Sequence, residues 1–433
     1  MQDWQEDYEK KLTTPEEAVK HIKSGDRVVL GLATGEPHSV VDAMIKNKNH
    51  YQNVEIVAML TLGKSPWLGP EMKGHFKFNC LFAGPANRDA ISSGAADFTT
   101  AFFFEIPDIL RTELKPNVAL IQVSPPDRHG YCSFGTSVDY TKEAAENAAL
   151  VIAQVNKNMP RTMGDSFVHV SHLDYICEID TPLIGIPVLP IKDTEKKIGQ
   201  YIADLVKDGD TLQLGIGGIP NAVLSCLGSK KDLGLHSEMI SDGVVDLIDA
   251  GVINNSKKTI HRYKSVVGFA MGTQKIYDYI DDNPSFEFRP IDYVNDPSII
   301  MQNDNMVAIN SCLQVDLLGQ VVSDSMGLLQ FSGVGGQLDF VRGARMSHGG
   351  RAIMAMPSTA AGGKVSRIVL TITEGSAVTT TRNDVDYVVT EFGVAKLSGK
   401  TLRHRAKELI KIAHPDFQDE LKAEFKKRFG DTY

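Results

Sequence analysis

The chain has 433 residues, so a single ordinary core would not suffice and two domains of about 200 residues each are expected. Hydrophobic residues make up 42% and charged residues 23%, as in a soluble globular protein, and the longest apolar runs, such as ALIQV at 119–123, are too short to cross a bilayer. A net charge of −9 gives no field for nucleic acid or an anionic membrane. The five scattered cysteines contain no CxxC pair, so neither a disulfide framework nor a zinc site is suggested, and a reducing cytosol is expected.

The first stretch, MQDWQEDYEKK, is acidic and polar, and no signal peptide is expected there. Residues 22–44, IKSGDRVVLGLATGEPHSVVDAM, read as a helix end, a Ser-Gly-Asp turn, an apolar strand, a loop carrying Thr34, Glu36 and Pro37, and an apolar-periodic helix. NVALIQVSPPDRHGYCSFG (117–135) is a strand followed by Asp127-x-x-Gly130, and ALVIAQV (149–155) is another strand. His129, His169 and His172 form no ligand-spaced cluster and are read as structural. DTPLIGIPVLPIKD (180–193) has three prolines and no helical period, so it is the linker, giving domains 1–185 and 186–433. An amphipathic helix, TEKKIGQYIADLVKDGD, then runs to Gly209.

Residues 206–227, VKDGDTLQLGIGGIPNAVLSCL, repeat the pattern of 22–44, with Gly209-Asp210 matching Gly25-Asp26 and Pro220 matching Pro37. Here Gly215, Gly217 and Gly218 lie between the strand and a helix beginning near Pro220. Glycines admit close backbone approach and a helix N-terminus offers unpaired amides, so the loop suits a pyrophosphate, a pantetheine or a developing oxyanion. A tight connection without a ligand is the alternative. The spacing is neither the dinucleotide fingerprint nor a Walker A loop.

LGLHSEMISDGVVDLIDAG (233–251) places Glu238 before a strand-to-helix loop, with Ser241 or Asp242 as N-cap and Gly251 as the stop. That position is the C-terminal edge of a parallel sheet, where open α/β proteins bind ligands. A solvated loop glutamate is the other reading of these residues alone. MVAINSCLQVDLLGQVVSDSMG (306–327) repeats the strand and turn of 117–135 through Asp316-x-x-Gly319, and DYVVTEF (386–392) is paired with ALVIAQV. QFSGVGGQLDFVRGA (330–344) carries Gly333, Gly335 and Gly336, either a hairpin-like turn or a second close-approach loop. HGGR (348–351) reads as a solvated turn between two strands. In the last helix, 416–429, Phe417, Leu421 and Phe425 form a packing stripe. Three pairs in the same order predict a fused duplication of one α/β unit with a largely parallel sheet.

The segments SPPDRHGYCSFG, LQLGIGGIPNAV, HSEMISDG, FSGVGGQLDFVRGA, MPSTAAGGKVSRIV and TRNDVDYVVTEFGVAKLSGKTLRHRAKELIKIAHPDF together resemble the acetyl-CoA hydrolase/transferase family over nearly the whole chain. The resemblance implies two tandem CoA-transferase-type α/β domains, the first on the carboxylate side and the second carrying nucleophile and CoA contacts. It implies Glu238 as nucleophile, and CoA contacts from Gly215, Ile216, Gly217, Gly218, Ile219, Leu313 and Gly336. Coenzyme A and acyl-CoA enter as substrates, with no permanently bound cofactor and no metal. The implied partners are short-chain carboxylates, 4-hydroxybutyrate or butyrate with acetate, in a cytoplasmic homodimer or a multiple of it. A short-chain acyl-CoA hydrolase is the near alternative, and a non-catalytic CoA-ester-binding regulator the distant one. One departure stands out: relatives often place a lysine where this chain has Ala361, and Lys364 is shifted from that position.

Overall fold

The structure, a computed structural model, describes residues 3–430 and residue 433. It divides into two compact units, Met1–Pro187 with Val266–Val294, and Val188–Ser265 with Asn295–Tyr433. The first unit thus takes in 266–294, which the division 1–185 and 186–433 gives to the second half. Ala270 N donates to Thr136 O at 2.9 Å and Phe288 N to Met163 O at 2.8 Å, fixing that excursion in place.

The first unit is built on β1 (Arg27–Leu30), α1 (His38–Lys46), β2 (Val54–Ala58), β3 (Phe76–Cys80), β4 (Asp97–Phe98), β5 (Val118–Val123), β6 (Leu150–Val155) and β7 (Tyr175–Glu178). Among the described residues, one sheet of seven parallel strands runs in the order β4-β3-β2-β1-β5-β6-β7. Every residue of β5 is buried, as expected of a central parallel strand covered on both faces.

The second unit has α2 (Asp193–Leu205), β8 (Thr211–Leu214), α3 (Gly218–Cys226), β9 (Gly234–Ile240), α4 (Asp242–Asp249), β10 (Met306–Ser311), α5 (Gln337–Met346), β11 (Arg351–Ala355), β12 (Tyr387–Thr390), β13 (Gly393–Lys396) and α6 (Pro415–Phe429). These six strands follow the order β9-β8-β10-β11-β12-β13 in one sheet, parallel except for the last pair, and short antiparallel hairpins such as Thr359–Ala360 with Val365–Ser366 lie outside it.

The predicted duplication is present down to single hydrogen bonds. Gly25 and Gly209 take φ of +82° and +80°. Asp26 Oδ2 accepts from Lys23 N at 2.7 Å and Asp210 Oδ2 from Lys207 N at 2.6 Å. Farther on, Asp127 Oδ1 accepts from His129 N and Tyr131 N, as Asp316 Oδ1 does from Leu318 N and Gln320 N. Gly130 and Gly319 close these turns at φ +84° and +87°, a region where a side chain is strained.

The third sequence pair does not correspond by position. Leu150–Val155 adjoins β5, whereas Tyr387–Thr390 lies one strand beyond the neighbour of β10; the counterpart of β6 is β11. Two short β-branched runs cannot be told apart without the sheet order. HGGR is also corrected: α5, not a strand, precedes it, and Arg351 is a buried strand residue paired to Asp210 at 2.6 Å and donating to Leu205 O at 2.7 Å. The helix predicted to reach Gly209 ends at Leu205, because Asp210 holds the Lys207 amide in the following turn. In α6, Leu421 and Phe425 are buried and Phe417 is half-buried. No helix among the described residues is long and apolar enough to cross a membrane.

Candidate active site

Glu238 lies within β9, two residues from its C-terminal end. Successive strand side chains alternate faces, so Glu238 shares one face with His236 and Ile240, and Ser237 and Met239 share the other. Ser237 locks the strand: its hydroxyl donates to Leu214 O at 3.0 Å and accepts from Leu214 N at 3.3 Å. The parallel register pairs Thr211 with Gly234 and Leu212 with Leu235; continued, it brings Gly215 level with Glu238.

Helix α5 covers the Glu238 face. Phe340 meets His236 edge-on at 6.2 Å between ring centres, and one turn earlier Gly336 lies at Glu238. A Cβ on Gly336 would collide with Glu238 Oε2 and Asn295 Nδ2, so this glycine is required by close approach. The preceding Gly335, at φ +53°, turns the chain into the helix. The carboxylate consequently sits at the start of a ten-residue helix, whose partial positive charge favours an anion there.

The carboxylate is held by an amide. Asn295 Nδ2 donates to Glu238 Oε2 at 2.9 Å and to Asp339 Oδ2 at 3.3 Å, using both of its protons. Asn295 and Asp339 are fully buried, whereas Glu238 is half-buried. The Asn295 Oδ1 atom is buried and has no hydrogen-bond partner. A half-buried carboxylate is therefore held on one oxygen by a buried amide.

The loop 215–219 is open. An added Cβ at Gly215 or Gly217 would meet nothing within 4 Å, Gly217 has φ +115°, and Ile216 is 43% exposed, while Ile219 is buried. Helix α3 begins at Gly218, two residues earlier than read from Pro220, which still occupies the first turn. The Glu195 carboxylate of α2 lies against Gly218, placing negative charge at that helix start. Leu313 is half-buried in the turn after β10, its N–H donating to Val322 O at 2.8 Å. Ala361 and Lys364 lie exposed in a hairpin turn, with Ala361 at φ +49° and Gly362 and Gly363 also left-handed.

Of the residues singled out in the sequence, Glu238 and Gly336 come together, and Gly215 follows the strand end bonded to Ser237. The sequence reading missed Asn295 and Asp339. Asp339 stands within the quoted QFSGVGGQLDFVRGA run, three residues after Gly336, but Asn295 is 57 residues from Glu238 and belongs to no motif.

Residues 1–190 match the acetyl-CoA hydrolase/transferase N-terminal domain and residues 272–425 its C-terminal domain. The chain is 59% identical over 428 residues to the 4-hydroxybutyrate coenzyme A transferase of Clostridium kluyveri, covering 99% of this chain and 100% of that one. It is 47% identical to the succinyl-CoA:cyclohexane-1-carboxylate CoA transferase of Geobacter metallireducens, over 96% of this chain and 95% of that one. The crystal structure of a 4-hydroxybutyrate CoA-transferase from Porphyromonas gingivalis superimposes with a TM-score of 0.86 at 45% identity, covering 99% and 100% of the two chains. With matches this long at this identity, the chain belongs to the acetyl-CoA hydrolase/transferase family.

Proposed function

We propose that this CoA-transferase moves coenzyme A between short-chain acids, 4-hydroxybutyrate or butyrate with acetate, through a thioester on Glu238. The observation that carries the reading is the Glu238–Asn295–Gly336 cluster: one carboxylate oxygen is clamped by a buried amide, and the group is half-exposed. The similarity to 4-hydroxybutyrate transferases supports the choice of acid.

In this reading Glu238 Oε1 attacks the carbonyl carbon of the acyl-CoA, the C–S bond breaks, and CoA leaves as the thiolate. The product is an acyl-glutamyl anhydride. The thiolate then attacks the glutamyl carbonyl, releasing the first acid as its carboxylate and leaving a glutamyl-CoA thioester. A second carboxylate reverses the two steps, giving ping-pong kinetics. Asn295 Nδ2–H, already on Oε2, stays on the glutamyl carbonyl oxygen as that oxygen gains charge; losing such a donor typically costs about 2.7–4 kcal/mol of barrier. The loop Gly215–Ile219, with Leu313 and Gly336, supplies the CoA contacts. The five cysteines are all unpaired, which suits a reducing cytoplasm.

The test is to incubate the protein with butyryl-CoA, reduce with borohydride, and map modified peptides by mass spectrometry. A reduced glutamyl residue at position 238 is expected. Turnover with position 238 unmodified refutes the thioester, and release of free acid without an acceptor carboxylate identifies a hydrolase instead.

A further inference from the structure

Asn295 Nδ2 directs its two protons at two carboxylates, Glu238 Oε2 at 2.9 Å and Asp339 Oδ2 at 3.3 Å. Asp339 stands in the first turn of α5, three residues after Gly336, and is 2% exposed among the buried Leu338, Phe340 and Val341. Asn295 is fully buried and precedes a short helix, Pro297–Ile300, whose Ile300 packs against Gly343 of α5. All three polar side chains belong to the second unit.

The two ends of an amide side chain have opposite character, and half a turn exchanges them. In Asn295 that exchange would turn Oδ1 toward both carboxylates, losing two hydrogen bonds and setting acceptors against one another. Oδ1 as it stands is buried with no hydrogen-bond partner, so the orientation is fixed from the Nδ2 side.

The two carboxylates do not share this task equally through the reaction. In the transferase reading Glu238 is ionised in the free enzyme and holds Nδ2 itself. As the glutamyl thioester it offers a neutral carbonyl oxygen, and hydrogen bonds to ionised partners are roughly twice as strong as those to neutral ones. The bond to Asp339 then keeps the other Nδ2–H aimed at the carbonyl oxygen, where charge develops as the acceptor acid attacks. A flipped Asn295 would present Oδ1 there and oppose that charge. The anhydride formed during loading is neutral too, but it arises with the amide already aligned by the ionised Glu238.

We propose that Asp339 is a positioning residue, fixing the amide orientation of Asn295 while Glu238 is covalently occupied, and so serving discharge of the thioester more than its loading. The proposal rests on the transferase reading above and names a further residue for that reaction. Asp339 acts through Asn295 and touches no substrate in this role.

The experiment uses the full chain and times the two half-reactions separately: loading by butyryl-CoA, read as butyrate released, and discharge of the isolated thioester by acetate, read as acetyl-CoA formed. Asp339→Leu removes the acceptor at similar volume and should slow discharge about 10²-fold, the cost of a misaligned oxyanion donor, while slowing loading less than about tenfold. Asp339→Asn keeps an acceptor oxygen for Nδ2 and should recover most of the discharge rate. In an Asn295→Ala background Asp339→Leu should add no further loss, since the amide it positions is gone. A merely structural role would slow both half-reactions alike, without rescue by Asp339→Asn. Equal slowing of loading and discharge in Asp339→Leu, or an undiminished effect in the Asn295→Ala background, overturns the proposal while the wild-type thioester is still trapped at Glu238. A wild type that forms no thioester overturns the transferase reading, and this proposal with it. If Asp339→Leu does not fold, Asp339→Asn decides: discharge within about threefold of wild type supports the acceptor role, and a larger loss refutes it.

Discussion

The loop from Gly31 to Pro37 in the first unit and the loop from Gly215 to Gly217 in the second leave matching strands at matching points, yet they are packed in opposite ways. In the first, Thr34 and Glu36 are buried, a Cβ on Gly35 would strike the Ser137 side chain, and Ala33 is held at φ +50°. In the second, Gly215 and Gly217 face open space and Ile216 is exposed. The loop richer in glycine is the emptier one. Glycine count therefore reports which backbone shapes are allowed, while the neighbouring side chains decide whether the space is filled by protein or left for a ligand. The second unit makes a close approach to the carboxylate elsewhere, at Gly336 against Glu238.

The contrast makes graded demands on substitutions. Glu238→Gln should cost the most, at least about 10⁴-fold in acyl exchange, in keeping with the loss of a nucleophile; exchange at full speed would remove the second unit from the chemistry altogether. Gly336→Ala comes next. Its methyl group must displace Glu238 or Asn295, and a shift of about 1 Å costs about 10²-fold in kcat. Full activity in this variant would mean that the close contact is not the geometry of turnover.

In the first unit the packed loop depends on Asp139. Leu32 N donates to Ser137 Oγ at 3.1 Å, and that hydroxyl donates to Asp139 Oδ2 at 2.6 Å. Burial pushes the Asp139 carboxyl up to about 6 despite donors from Ser137, Thr141 and Tyr140. Asp139→Asn turns an amide toward those donors and should destabilise by about 1–3 kcal/mol in urea titrations. Because the folded-state pKa is raised, the stabilising contribution of the carboxyl is complete below the unfolded value near 3.8 and is lost as pH rises through about 6. The gap between wild type and Asp139→Asn should accordingly widen as pH falls from about 7 to about 4.

The smallest effect belongs to the open loop. Gly215→Ala has room and no left-handed φ, so stability should change by less than about 0.5 kcal/mol. If acyl-CoA passes close to this backbone, KM for acyl-CoA rises even so. An unchanged KM would show that the emptiness of the loop is incidental.

The sequence was most informative where a local rule applies. The Gly-Asp turns, the Asp-x-x-Gly turns and the strand–loop–helix repeat were all readable, because left-handed glycine and short-range aspartate bonds act over a few residues. Glu238 stood out only beside its motif, and its place at the sheet edge followed from the strand-to-helix loop behind it. The wrong partner for ALVIAQV shows the limit: apolar runs define strands, but only the sheet order says which neighbour each strand takes. Tertiary structure alone brought Asn295 to Glu238 across 57 residues, buried Arg351 against Asp210 in a segment that reads as a solvated turn, and enclosed Glu36 so that one oxygen has no partner. Such placements depend on strand register and helix packing, which are set by the whole core at once, so no local pattern of residue types encodes them.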